Sequence, residues 1–185
     1  MMMKIEAIWQ PENQQCIFRA LMEAMARPGS LHPLGHWLDG AQAYRGVLAC
    51  LLDIRNTLAD CHGLLDPSDW PLLQARQEVV EKADYLLCKG ISEPTGMPKV
   101  GTLNCPDQSA TLLVTVDTLG RGSRSLKLHG PGIESSCILL VEGFGAAWLE
   151  QRDQSLFFPL GIDMILLDQD TVTAIPRTTK LEMVS

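Results

Sequence analysis

The chain has 185 residues and a mass of 20.4 kDa, enough for one domain with a single core and too little for two of ordinary size. Hydrophobic residues make up 46% of it and charged residues 20%, a balance that excludes a disordered chain. A net charge of -7 and a pI near 5.0 exclude a general nucleic-acid binder, whose hold on phosphate needs clustered positive charge.

The start, Met1-Met2-Met3-Lys4 leading into Ile5-Glu6-Ala7, carries no signal-type apolar stretch, and no later run reaches the roughly 18 apolar residues of a membrane helix. The cytoplasm is the expected compartment. Over residues 13–26, Ile17, Leu21, Ala24 and Met25 follow helical spacing, with Phe18 and Met22 widening the stripe. Asn13 is the expected cap, and Arg27-Pro28-Gly29 stops the helix because proline disfavours helical geometry in the residue before it. A second helix is expected over residues 41–53, with Val47, Leu48, Leu51 and Leu52 on its apolar face. Residues 56–61 read as a short strand, and Asp66-Pro67-Ser68-Asp69 supplies cap chemistry for a helix over residues 70–81.

Tyr85-Leu86-Leu87-Cys88 reads as a buried strand ended by Lys89-Gly90, followed by a loop over residues 92–98. Residues 111–116 are rich in β-branched side chains, as a central strand requires, while residues 125–129 alternate and predict a strand with one wet face. Strands are also expected over residues 138–141, 162–167 and 171–175, and a short helix over residues 146–152. Helices interleaved with strands predict an α/β layered sandwich, a mixed β-sheet flanked by helices, in one domain spanning residues 1–185.

Six cysteines, Cys16, Cys50, Cys61, Cys88, Cys105 and Cys137, show no C-x-x-C spacing, so no zinc site is signalled and they read mostly as reduced structural thiols. The four histidines, His32, His36, His62 and His129, stand in no triad or metal spacing, and there is no G-x-S-x-G elbow. Leu128-His129-Gly130-Pro131-Gly132-Ile133 lacks the Walker ending and the G-x-G-x-x-G spacing; its glycines serve either a close-approaching anion or a tight strand exit. His129 reads either as an acid–base group or as an ordinary surface histidine. Arg121, Arg124 and Lys127 form either a dock for a phosphate or acidic partner, or a solvated hairpin tip. Ile175-Pro176-Arg177-Thr178-Thr179 sets a guanidinium beside two hydroxyls, a pattern suited to phosphate or carboxylate. Asp163 reads either as a further site group or, more naturally, as the partner in an ion pair with an arginine that holds the fold.

Phe18-Arg19-Ala20-Leu21-Met22-Glu23-Ala24-Met25-Ala26-Arg27-Pro28-Gly29 resembles the F-R-x-L-x-x-A-M-x-x-P-G opening of the PhnH family. In family order follow Ser109-Ala110-Thr111-Leu112 for its G-A-T-L, Gly130-Pro131-Gly132-Ile133 for G-P-G-I, and Phe158-Pro159-Leu160-Gly161-Ile162-Asp163 for F-P-L-G-I-D. Ala174-Ile175-Pro176-Arg177-Thr178-Thr179 closes the series as A-I-P-R-T-T. Ser109 stands where glycine is usual and Lys180 where a histidine can occur, and residues 42–108 match only loosely.

This resemblance implies a subunit of a carbon-phosphorus lyase core acting with PhnG, PhnI, PhnJ and PhnL. Together these are associated with replacing the adenine of ATP by an alkylphosphonate such as methylphosphonate, giving a ribose 1-phosphonate 5-triphosphate. The implied fold is similar to a reduced pyridoxal phosphate-dependent transferase. No Ser-x-x-Lys cofactor setting surrounds Lys4, Lys82, Lys89, Lys99, Lys127 or Lys180, so no cofactor and no metal are expected. Arg19, Asp163, Arg177 and Thr178, with His129, make the expected ligand-binding set; no catalytic residue is carried over. The competing expectation is a non-catalytic scaffold of the same complex. The apolar face of the first helix, with Trp9 and the termini, serves either a homodimer or partner contact or the core.

Overall fold

The computed structural model describes residues 5–184; Lys4 and the extreme termini of the expected dimer face lie outside the described residues. A 3-10 turn, Ala7–Trp9, leads into helix α1, Pro11–Ala26. Proline at the first helical position gives up a donor that has no intrahelical partner anyway, so α1 starts ahead of the expected cap. Gln10, not Asn13, holds the cap position, and Asn13 Nδ2 instead donates to Ala7 O at 2.9 Å. Strand β1, His32–Pro33, and helices α2, Gly35–Leu38, and α3, Ala43–Leu51, follow.

Strand β2 is Thr57–Asp60 and helix α4 only Asp69–Leu73. The helix expected to reach Glu81 ends there, because Gln74 turns left-handed at φ 58° and Val79 beyond it is exposed. Without an inward stripe, helix past Leu73 has nothing to bury; Arg76–Gln77 forms edge strand β3 instead. Then come β4, Tyr85–Lys89; β5, Thr111–Thr115; β6, Thr118–His129; β7, Cys137–Glu142; α5, Ala146–Gln154; β8, Asp163–Leu167; β9, Thr171–Ile175; and β10, Lys180–Val184.

Seven strands form a mixed sheet in the order β1-β9-β8-β5-β4-β2-β3. The run from β3 to β8 is parallel, whereas β9 and β1 add antiparallel. The period of two in the strand sequences sorts their side chains onto two faces. Leu87, Leu113, Ile165 and Leu167 pack with Ile17 and Leu21 of α1 and with Val47 and Leu48 of α3. Leu86, Cys88, Leu112, Val114, Met164 and Leu166 pack on the opposite side with Leu126, Leu128, Leu139, Val141 and Trp148. Each fully buried leucine contributes roughly 1.5–3 kcal/mol, so both faces are strongly held.

The expected mixed sheet has its flanking helices α1 and α3 on one face, while the second flank is largely a three-stranded antiparallel sheet, β10-β6-β7, with α5 beside it. The segment read as a hairpin tip at Arg121 is a four-residue excursion inside β6, since Leu119 and Arg124 both pair with Val141. Gly29 and Gly132 weld this small sheet to α1. A Cβ on Gly29, at φ +85°, would meet Leu128 Cδ1 at 2.8 Å and Cys137 Sγ at 2.9 Å; one on Gly132, at φ +82°, would run into the carbonyl of Ala26.

Candidate functional site

Asp163 opens β8 and Arg177 follows β9, its antiparallel neighbour, so the pairing of the two strands brings both side chains to one end of the large sheet. The Arg177 backbone N–H donates to Asp163 Oδ1 at 2.7 Å, and Nη2 donates to Asp163 Oδ2 at 2.6 Å. Nε reaches Asp163 Oδ1 at 3.3 Å, Nη1 reaches the Pro106 carbonyl at 2.6 Å, and Nη2 also reaches Ser109 Oγ. All three guanidinium nitrogens are engaged within the fold, and the two side chains are only 18% and 15% exposed. The pair therefore ties residues 106–109 to the β8 and β9 ends, the fold-holding arrangement that buried charges adopt. It also sits at the amino ends of the parallel strands, in register with Thr111 of β5, whereas open α/β sheets bind ligands outside the carboxyl ends.

Thr178 is exposed and lines, with Arg177, a cleft of about 430 Å³ between α5 and the segment that leads into β10. His129 ends β6 and pairs with Lys180 of β10, its Nδ1 3.0 Å from the Ser135 carbonyl. Arg19 is exposed on α1 and is not among the residues lining this cleft. The structure thus assembles Asp163, Arg177 and Thr178, sets His129 one strand away, and leaves Arg19 apart.

The residue that sequence reasoning missed is Arg152, which lines the same cleft and is 1% exposed. Its Nη2 donates to the carbonyls of Pro176 at 2.9 Å and Thr179 at 2.6 Å. Burial lowers its pKa, only partly offset by the charges of Asp153 and Asp163. The signal available was spacing: Trp148, Gln151, Arg152 and Ser155 recur at helical intervals and are all buried. Glu150-Gln151-Arg152-Asp153-Gln154 nevertheless reads as a solvated helix end.

The carboxyl ends of the parallel strands offer two further groupings. Cys88 of β4 donates to Cys61, the residue after β2, Sγ to Sγ at 3.5 Å, which holds the Cys61 thiol below its ordinary range against the upward push of burial. His62 beside it accepts from Lys89 N–H at 3.2 Å and meets the Trp148 ring edge-on. A cleft of about 470 Å³ lies near Asp117 and Asp168, but Asp168 already accepts from the N–H groups of Leu119, Asp170 and Thr171. Among the described residues, no three His, Cys, Asp or Glu side chains are placed to hold a metal ion, and no helix is long and apolar enough to cross a membrane.

The family model for bacterial phosphonate metabolism protein (PhnH) matches residues 7–182. Over 178 residues the chain is 38% identical to the putative C-P lyase subunit protein HtxG of Stutzerimonas stutzeri, covering 95% of this chain and 89% of that protein. It is 29% identical over 184 residues to the alpha-D-ribose 1-methylphosphonate 5-triphosphate synthase subunit PhnH of Rhizobium meliloti (strain 1021), covering 91% and 90%.

Proposed function

The chain belongs to the PhnH family of bacterial phosphonate metabolism proteins, and from that premise we propose that it is a subunit of a carbon-phosphorus lyase assembly. Within that assembly it contributes to transfer of ribose triphosphate from ATP onto an alkylphosphonate, giving the ribose 1-methylphosphonate 5-triphosphate that the name of the Rhizobium relative carries. The observation that carries the reading is a family match extending over residues 7–182. The partners in this reading are PhnG, PhnI, PhnJ and PhnL, the compartment is the cytoplasm, and residues 1–185 act as one domain without a bound cofactor. The kinship of the fold with a reduced pyridoxal phosphate-dependent transferase belongs to the same proposal and is supported by the mixed sheet with α1 and α3 on one face. A homodimer is supported by Phe18 and Met22 of α1, which are 46% and 58% exposed beside an apolar groove.

Arg177 and Thr178 are the proposed ligand contacts of this subunit, with Asp163 as the anchor of Arg177 and His129 and Arg19 as outlying members. A second reading, a non-catalytic scaffold, is favoured by one observation: the Arg177 guanidinium is already spent on Asp163, Pro106 and Ser109. Co-expression with PhnG, PhnI and PhnJ tests the shared premise, with one stoichiometric size-exclusion peak expected and separate elution overturning it. Turnover of ATP and methylphosphonate by the assembled complex separates the two readings. Loss of turnover in an intact Thr178→Ala complex supports direct contact with substrate, and unchanged turnover supports the scaffold.

A further inference from the structure

The cleft beside α5 holds two polar side chains that the fold leaves unmet. Arg152 and Thr179 are each 1% exposed, and Arg152 Nε, Arg152 Nη1 and Thr179 Oγ1 have no hydrogen-bond partner. Both residues line the cleft, with Lys180 beside them. Nη2 fastens the guanidinium to the carbonyls of Pro176 and Thr179, but Arg152 makes no ion pair among the described residues. A buried cation with no ion-pair partner, whose Nε and Nη1 donors are unmet, is a costly arrangement that buried arginines normally avoid. A small anion in the cleft resolves it.

We propose that this cleft binds a phosphoryl-type oxyanion, a phosphate or a small alkylphosphonate, through the Arg152 guanidinium, the Thr179 hydroxyl and the Lys180 ammonium. Arginine suits such oxygens because its donors are fixed in a plane and its charge is permanent. Arg177 adds little charge there, since Asp163 neutralises it. The opposing carboxylates of Asp153 and Glu182 are on exposed residues and screened by water, whereas Arg152 is not. Leu156 and Leu160 supply an apolar wall that admits a small alkyl group on the anion. The inference stands without the assembly role, because it concerns the chain by itself.

The test is thermal unfolding and calorimetry of the full chain with inorganic phosphate and, separately, methylphosphonate, each against sodium chloride at matched ionic strength. A saturable rise in Tm beyond the chloride control is expected, as a ligand of the folded state requires. A response to both anions assigns the site to the shared head group, and a response to phosphate alone assigns it to phosphate. Thr179→Val and Lys180→Gln each weaken binding by about tenfold, the scale of one charge-assisted hydrogen bond. Thr179→Val folds as well as the parent without anion, because it removes a hydroxyl that has no partner, so its lost response does not reflect misfolding. No saturable response to either anion, or an undiminished response in Thr179→Val, overturns the proposal. Co-elution with the lyase partners reads the assembly role separately.

Discussion

Arg177→Met removes a guanidinium while keeping an unbranched side chain, and the structure sets what is lost. Asp163 loses the 2.6 Å ion pair and keeps only the 2.7 Å bond from the Arg177 backbone N–H. The Pro106 carbonyl and Ser109 Oγ lose their donors as well. Breaking a buried pair by deleting one partner costs roughly 3–5 kcal/mol, and each orphaned acceptor adds about 1 kcal/mol. Residual exposure of 18% and 15% lets water recover part of this, leaving a loss of about 3 kcal/mol. For a domain of this size that is a fall in Tm of roughly 6–12 °C. Urea unfolding of Arg177→Met, Asp163→Asn and the double variant measures it, with a coupling energy of about 2 kcal/mol expected from the cycle. A loss below about 1 kcal/mol for Arg177→Met, with an unchanged urea slope, would refute the view that this pair holds residues 106–109 to the β8 and β9 ends.

Gly132→Ala places a Cβ against the Ala26 carbonyl at φ +82°, so urea unfolding is expected to show a loss of about 2 kcal/mol or more. Cys61 and Cys50 diverge in reactivity: the bond from Cys88 holds the Cys61 thiol below its ordinary range, while burial pushes Cys50 up to about 11. Iodoacetamide at pH 8, mapped by mass spectrometry, is expected to label Cys61 well before Cys50, because the thiolate is the reacting form; the reverse order contradicts the assignment. Burial raises the Asp84 carboxyl pKa, but the bonds from Lys99 and Thr57 outweigh it and the net shift is downward. A lowered folded pKa contributes stability that is present above the unfolded value near 4 and lost as pH falls through the folded value. Asp84→Asn is therefore expected to be less stable at pH 7 and to lose stability less steeply between about pH 5 and pH 2; an acid limb as steep as the parent's refutes this.

Strands β4, β5, β8 and β9 are legible in the sequence because each is a short apolar run, buried on both faces of a mixed sheet. β1 and β3 are two residues long, too short for any periodicity to register, and their existence depends on a neighbouring strand. β10 is mostly exposed and alternates Lys180, Leu181, Glu182 and Met183, a pattern that only its pairing with β6 converts into sheet. The Asp163–Arg177 pair was legible because Asp163 opens one apolar run and Arg177 follows the next, and the two runs lie antiparallel side by side. Arg152 was not, since its burial depends on the Pro176 and Thr179 carbonyls arriving from 24 and 27 residues away. Nothing local to Arg19 distinguishes a surface arginine from a ligand contact.

The segments that carry the family resemblance converge in space for a mechanical reason. Gly29 receives Leu128 and Cys137 of the small sheet, Gly132 lies on the end of α1, and a Cβ on Gly130 would press on the Thr178 carbonyl. Arg177 in turn ties Asp163 to Pro106 and Ser109. The glycine contacts form a joint between the three-stranded sheet, the end of α1 and the link from β9 to β10, so these residues serve packing before any chemistry is invoked. The cleft of Arg152 opens along the same joint, where Arg152 bonds the two carbonyls of the segment joining β9 to β10. An anion there would neutralise the buried cation and stiffen the link from α5 through β10 to β6. Ligand binding and the stability of the small sheet are then coupled through one guanidinium, which makes Arg152, rather than Arg177, the residue at which recognition and architecture meet.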